Sequence, residues 1–270
     1  MKFYPSLFLV LSSILLLNCS GAESLTINKT ESPLTIDGSL SDWNTSNSQI
    51  MSNDGLNVYA KNDDEFLYLF LDVRSAVRDQ QIRRAGLIVY IGSSKDTRRD
   101  KGIGYPAGTF NLLRETGVYQ DFLSDPQWGQ NRSNMQLLTE LEEDLPNRVM
   151  IVERFDGSDS HHGFIDIEQL TIDGFEIVKN EASRYTSIEM KIPIDGTSIF
   201  NVDSNRFWVG FATEPPRFRM QRSDYDASQR QQRGQMGGQR QRQQSAAQQE
   251  SAMRRNLGEF EEFFIFNLER

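Results

Sequence analysis

Short apolar runs with the two-residue period of β-strands recur along the chain. The run Phe66–Val73 is apolar on both of its faces, so it is predicted to lie in the middle of a sheet that is covered on both sides. In residues 185–194, by contrast, Ile188, Met190 and Ile192 alternate with Glu189 and Lys191, as in a strand with one buried face. The pattern predicts an all-β protein.

Turn signals separate these runs. Residues 34–43 read L-T-I-D-G-S-L-S-D-W and are predicted to form an opening strand and a corner, because the glycine at 38 accepts positive φ. Residues 56–73 contain two strand-like runs around the polar residues 62–65, which predicts a hairpin. Further strands are predicted at 86–91, 148–155, 172–179, 206–213 and 259–268, a helix or turn at 135–145, a loop or single helical turn at 74–85, and a loop at 96–109.

One segment departs from this pattern. Residues 217–255 are rich in Gln and Arg, with nine Arg against Asp224, Asp226 and Glu250, and have almost no aliphatic residues. Such a composition buries too little apolar area to offset the entropy lost on ordering, so a disordered basic insertion is predicted before the last strand. A solvated insertion is favoured over a contact with lipid head groups, polyanionic glycans or nucleic acid.

The N-terminal segment resembles a bacterial lipoprotein signal. An apolar run at 7–17 follows Lys2 and ends at Leu16-Leu17-Asn18-Cys19, and it is short for a membrane span. Cys19 is the only cysteine of the chain, so lipid attachment explains it better than a disulfide. A signal peptide at 1–18, lipidation at Cys19, a tether at 19–32 and a domain at 33–270 are predicted. A signal cleaved near Ala22 and an uncleaved anchor are the alternatives.

Location and charge narrow the classes of function. Ser20 after the cysteine resembles lipoproteins that are released to an outer membrane, so an envelope protein attached there is expected. A net charge of −9 and a pI near 4.9 disfavour a nucleic-acid-binding protein. The sequence shows no Ser/His/Asp arrangement, and a non-catalytic protein is predicted, although paired carboxylates for glycoside hydrolysis are not visible from spacing alone.

Three stretches carry a family resemblance. I-D-G-S-L-S-D-W at 36–43, the hairpin with its acidic turn, and Y-T-S-I-E-M-K-I-P-I at 185–194 followed by F-W-V-G-F at 207–211 resemble the family 9 carbohydrate-binding-module-like sandwiches, which are related to the DOMON superfamily. The resemblance implies an antiparallel β-sandwich with jelly-roll-like topology. In some members it also implies sugar binding, often with structural calcium. The matched motifs are framework, so no binding residue is transferred from the family.

Candidate ligand contacts therefore come from local chemistry. Trp128 lies among Gln127, Asn131 and Arg132, and an exposed indole beside hydrogen-bonding side chains suits stacking on a sugar. The alternative is that Trp128 folds back to cap the sandwich. Asp156 and Asp159 have a spacing that presents oxygens to calcium, although a solvated turn is favoured over a metal site.

These observations predict a non-catalytic lipoprotein that is held at a membrane and binds a polysaccharide or oligosaccharide. Two other hypotheses remain. The DOMON relationship implies haem ligation by Met, Lys or His, for which the chain offers Met135, Met150, Met190, His161 and His162. A structural or adhesion protein that uses the fold as a scaffold is the other hypothesis.

Overall fold

A computed structural model describes residues 22–125, 127–154, 161–170, 174–180, 182–195, 198–202, 204–216 and 257–269. Its strands are β1 (Glu23–Ile27), β2 (Gln49–Asn53), β3 (Leu56–Asn62), β4 (Phe66–Val73), β5 (Ile88–Gly92), β6 (Lys101–Gly104), β7 (Arg148–Glu153), β8 (His161–Asp166), β9 (Glu176–Lys179), β10 (Ser187–Pro193), β11 (Arg206–Thr213) and β12 (Phe260–Leu268). Its helices are α1 (Thr45–Ser48), α2 (Ala76–Ala85), α3 (Thr109–Leu112), α4 (Tyr119–Ser124), α5 (Arg132–Asp144) and α6 (Ile167–Leu170), with 3₁₀ turns at Leu113–Glu115, Trp128–Gln130 and Leu145–Asn147.

The strands form two sheets. The seven-stranded sheet has the order β1-β12-β11-β5-β6-β7-β8, and the five-stranded sheet has the order β2-β3-β4-β10-β9. Neighbouring strands are antiparallel except for β1 and β12, which are parallel. The described chain is mainly β, with six short helices, and the two sheets are compatible with the predicted β-sandwich.

The main core is built from residues that alternate along the strands. Ile188, Met190 and Ile192 of β10 are completely buried, as the alternation predicts. Phe207, Val209 and Phe211 of β11 belong to the same cluster. The predicted hairpin is also confirmed, because β3 pairs with β4 and the doubly apolar β4 lies in the middle of its sheet. Each fully buried residue of this size contributes about 1.5–3 kcal/mol of hydrophobic stabilisation.

Residues 33–44 cover the outer face of the five-stranded sheet without forming a strand. Trp43 packs in a cluster with Tyr59, Tyr68 and Phe70, and Leu34, Ile36 and Leu40 pack against that cluster. The corner at Gly38 is present, with φ of +75°. The predicted opening strand is wrong, since this segment meets the sheet through side chains instead of extending its hydrogen-bonded ladder.

Three further elements differ from the sequence-based predictions. Glu23–Ile27, within the predicted tether, forms the edge strand β1 and buries Ile27. Lys101–Gly104, within a predicted loop, forms β6. The segment before β5 forms the ten-residue helix α2, which begins at the capping residue Ser75 and ends at Gly86 with φ of +82°.

Several predictions fall outside the described residues. These are the signal peptide at 1–18, the lipidation site Cys19, the calcium candidates Asp156 and Asp159, and the Gln/Arg-rich segment 217–255. Among the residues that the structure does describe, no helix has the length and apolar character needed to cross a membrane.

Candidate functional site on the outer face of the seven-stranded sheet

A single row of residues crosses the outer face of the seven-stranded sheet, opposite the main core. The strand register aligns one residue from each of six neighbouring strands, namely Phe263, Gly210, Tyr90, Gly102, Val152 and His162. The outer face carries these side chains because the alternate residues of β11, Phe207, Val209 and Phe211, point into the core.

Two glycines in this row let aromatic rings lie against the sheet. A Cβ atom at Gly102 would stand 2.8 Å from Cδ1 of Tyr90, and one at Gly210 would overlap the ring of Phe263. Tyr90 and Phe263 stack on each other with their ring centroids 6.4 Å apart and an interplanar angle of 29°. The absence of two side chains therefore lets these rings pack closely against the sheet, where Tyr90 is buried and Phe263 is partly buried.

Trp208 lies further along β11 on the same face of the sheet. It pairs with Gly92 of β5 and Ile265 of β12, so it shares the outer face with Phe263, and its indole is partly exposed. The guanidinium of Arg98 lies 5.0 Å from the ring centroid of Phe263 and 5.9 Å from that of Trp208. One cation thus contacts both rings, and such contacts stabilise by about 0.5–2 kcal/mol.

The turn between β5 and β6 holds Arg98 in this position. Its Nη1 donates a hydrogen bond of 2.6 Å to the carbonyl oxygen of Lys95. A Cβ at Gly92 would stand 2.6 Å from Cα of Arg98, so the glycine lets the turn pack closely on the end of β5. We call Trp208, Phe263, Arg98 and Arg99 the aromatic–arginine surface.

Carboxylates border this surface and are engaged by neighbouring side chains. Arg99 forms an ion pair with Glu261 through a hydrogen bond of 2.5 Å from its Nε. The Tyr90 hydroxyl donates to Oε1 of Glu214 at 2.6 Å. Burial, followed by the charge of Glu214, raises the pKa of Tyr90, so the phenol stays protonated.

His162 closes the other end of the row. Its Nδ1 meets Nη1 of Arg114, which comes from the 3₁₀ turn above the sheet, and its Nε2 is buried without a hydrogen-bond partner among the described residues. Burial, together with the charge of Arg114, lowers the pKa of His162 to about 4. The imidazole is therefore neutral at pH 7.

The predicted sugar platform at Trp128 is wrong. Its indole is only 5% exposed and packs edge-on against Phe122, with centroids 5.3 Å apart, in a small cluster formed by the helices that cover the sheet. Apolar neighbours on α4 and α5 give the indole a better environment than water does. Gln127, Asn131 and Arg132 are exposed nearby, and the Asn131 side chain caps α5 by accepting from the Ser133 amide at 2.9 Å.

The candidates for haem ligation do not converge. Met190 lies in the core between the sheets, whereas Met150 belongs to the cluster beneath the covering helices. Met135 is 55% exposed on α5. His161 is exposed and His162 faces Arg114. In the part of the chain that the structure describes, no group of three or more His, Cys, Asp or Glu residues is placed to hold a metal ion.

Sequence reasoning missed the aromatic–arginine surface. One signal was available, because Trp208 is out of phase with the three core residues of β11 and is followed two residues later by glycine. The approach of Phe263 was not visible, since 217–256 separate it from β11 along the chain.

No known protein-family model matches this chain, and no curated protein matches it at a significant level.

Proposed function

We propose that this protein is a non-catalytic lipoprotein of the cell envelope, anchored in the outer membrane, whose β-sandwich binds a glycan on the aromatic–arginine surface. The observation that carries the proposal is the partly exposed ring of Trp208, which lies beside Phe263 on the outer face of the sheet and near the same guanidinium. Aromatic rings offer sugars an apolar face for C–H contacts, and the flanking guanidinium groups supply hydrogen-bond donors.

Binding suits this surface better than hydrolysis does. The two carboxylates that border it already serve other side chains, because Glu214 accepts from Tyr90 and Glu261 pairs with Arg99. The ring of Trp208 is partly exposed to water, whereas catalysis benefits from a site that excludes water.

The resemblance to family 9 carbohydrate-binding modules supports the proposal through one contact. The two motifs that carry it meet, since Glu189 of the second motif accepts hydrogen bonds from the backbone of Asp37 and Gly38 in the first. Membership of that family, jelly-roll-like connections, structural calcium and a disordered insertion at 217–255 stay predictions.

Glycan titration of the purified protein tests the binding function. We expect a saturable rise in the thermal unfolding midpoint with one glycan of a panel, because a ligand of the native state stabilises it by mass action. Trp208→Leu should abolish that rise. Tyr185→Leu is the matched control, since Tyr185 is also partly buried beneath an arginine, with Arg184 at 5.2 Å. An equal loss of the glycan-dependent rise in both variants, or no rise with any glycan, would contradict the proposed site.

Anchoring is tested separately. Cys19→Ala should move the protein from the membrane fraction to the soluble fraction and remove its fatty acids, since Cys19 is the only thiol of the chain. An acylated, membrane-bound Cys19→Ala protein would refute the anchor and leave the glycan site unaffected.

A further inference from the structure

We infer that the glycan recognised by the aromatic–arginine surface is acidic, and that Arg98 binds its carboxylate groups. The inference rests on the proposed glycan-binding function and specifies the chemical class of the ligand. It follows from the position of one guanidinium, the hydrogen bonds that it makes and the charges around it.

The position of Arg98 places a positive charge where a glycan would meet the rings. Its guanidinium lies 5.0 Å from the ring centroid of Phe263 and 5.9 Å from that of Trp208. A glycan that packs against the exposed part of the Trp208 ring therefore meets this cation as well. A carboxylate on the glycan gains an ion pair there that a neutral sugar lacks, while the cation–π contacts are kept.

The hydrogen bonds of Arg98 leave it able to bind an anion. Its Nη1 donates a hydrogen bond to the carbonyl oxygen of Lys95. Arg98 forms no ion pair with a carboxylate of the described residues, whereas its neighbour Arg99 is paired with Glu261. A guanidinium carries five N–H donors in a planar fork that matches a carboxylate in two-point contact.

The charges nearest the rings favour an anionic ligand. Arg99 lies 6.0 Å from the ring centroid of Phe263, and Glu261 balances its charge. Arg98 forms no such ion pair among the described residues, so it leaves a cation beside the rings on a protein with a net charge of −9. This cation favours a ligand that presents an anionic group beside the rings.

Pairs of glycans that differ only in charge test the inference. Oligogalacturonate, oligoalginate and oligohyaluronate are each titrated by calorimetry into the chain from residue 19 with Cys19→Ser, alongside their methyl-esterified forms. We expect at least one acidic glycan to bind about tenfold or more tightly than its ester, with an affinity that falls as salt rises. Arg98→Gln should remove this preference. Arg184→Gln should keep it, because Arg184 covers Tyr185 in a comparable contact on another part of the surface.

The other outcomes separate the two proposals. Equal affinity for acid and ester, with binding still lost in Trp208→Leu, would overturn the acidic ligand and leave glycan binding standing. Binding to none of the glycans would overturn both. Binding that is confined to phosphatidylglycerol vesicles, compared with phosphatidylcholine vesicles, would overturn the inference in favour of a membrane-docking surface.

Discussion

The indole Nε1 of Trp43 donates a hydrogen bond of 2.8 Å to Oε1 of Glu189, although the two residues are 146 positions apart. The other oxygen of the same carboxylate accepts from the backbone amides of Asp37 and Gly38 at 3.0 and 2.9 Å. Glu189 is completely buried. One carboxylate on β10 therefore fixes the corner of the covering segment and the tryptophan at its end.

Replacing this carboxylate should destabilise the fold. Glu189→Gln keeps the shape but turns an amide NH₂ toward donors, so we expect a loss of about 1–3 kcal/mol in the free energy of unfolding. Glu176→Gln is the control, since Glu176 forms a partly exposed ion pair with Lys191 at 2.6 Å and should cost below about 1 kcal/mol. Urea denaturation measures both, and equal losses would contradict the role of Glu189.

The neutral state of His162 predicts a loss of stability in acid. Its pKa is lowered from 6.5 to about 4 in the folded protein, so the stability it contributes is present above pH 6.5 and is lost as the pH falls toward 4. Allowing for partial solvent screening, we expect about 1 kcal/mol of this loss between pH 7 and 5. Burial raises the pKa of both Glu189 and Asp72. Their contributions to the free energy of unfolding therefore change in the opposite direction and decrease as the pH rises.

A matched pair of variants isolates this effect. His162→Gln should remove about 1 kcal/mol of the acid-dependent loss, because glutamine does not titrate. His161→Gln should retain the loss, since His161 is exposed on the neighbouring position of β8. Urea denaturation at pH 7 and 5 gives both differences. The same pH dependence in the two variants would show that His162 is not the titrating group.

Local patterns predicted the hairpin, but they did not reveal the buried carboxylate. The polar turn between two apolar runs is sufficient to indicate β3 and β4, because a hairpin pairs strands that are adjacent in the sequence. Glu189 instead occupies the polar side of an alternating strand, which normally indicates exposure. Glu189 is buried because residues 33–44, which are distant in the sequence, pack over it. The residues next to Glu189 in the sequence do not indicate that contact.

The same limit applies to the candidate site. Trp128 lies among polar residues, so its surroundings in sequence indicated exposure, yet it packs against Phe122 in the folded chain. β6 was missed because its glycines weaken the strand pattern. One of them leaves room for the ring of Tyr90, and this contact with another strand is not visible in the sequence. Register across several strands determines such contacts, and register was not available from the alternation of residues alone.

Strand β1 should be part of the stable fold. Ile27→Ala removes a side chain that is 1% exposed, so we expect a loss of about 2–5 kcal/mol. Thr26→Ala, on the exposed face of the same strand, should change stability by less than about 0.5 kcal/mol. Thermal and urea unfolding distinguish a strand from a tether. If residues 23–27 were a tether, neither substitution would change the free energy of unfolding.

The space above Gly210 should control the aromatic–arginine surface. Gly210→Ala places a methyl group against the ring of Phe263, so we expect a loss of about 1–3 kcal/mol in stability and weaker glycan binding. Gly163→Ala on β8 serves as the control, because a Cβ there meets nothing within 4 Å. Calorimetric titration of both variants checks the prediction. Unchanged binding in Gly210→Ala would show that the position of Phe263 is unimportant.

Tryptophan side-chain resonances give the most direct test of the glycan-binding surface. The chain has 3 tryptophans, of which Trp43 and Trp128 are each 5% exposed while Trp208 is partly exposed on the sheet face. Titrating the acidic glycans into ¹⁵N-labelled protein should shift the indole resonance of Trp208 and leave the other two in place. A shift confined to Trp43 or Trp128, or binding without any movement of the Trp208 resonance, would contradict the account.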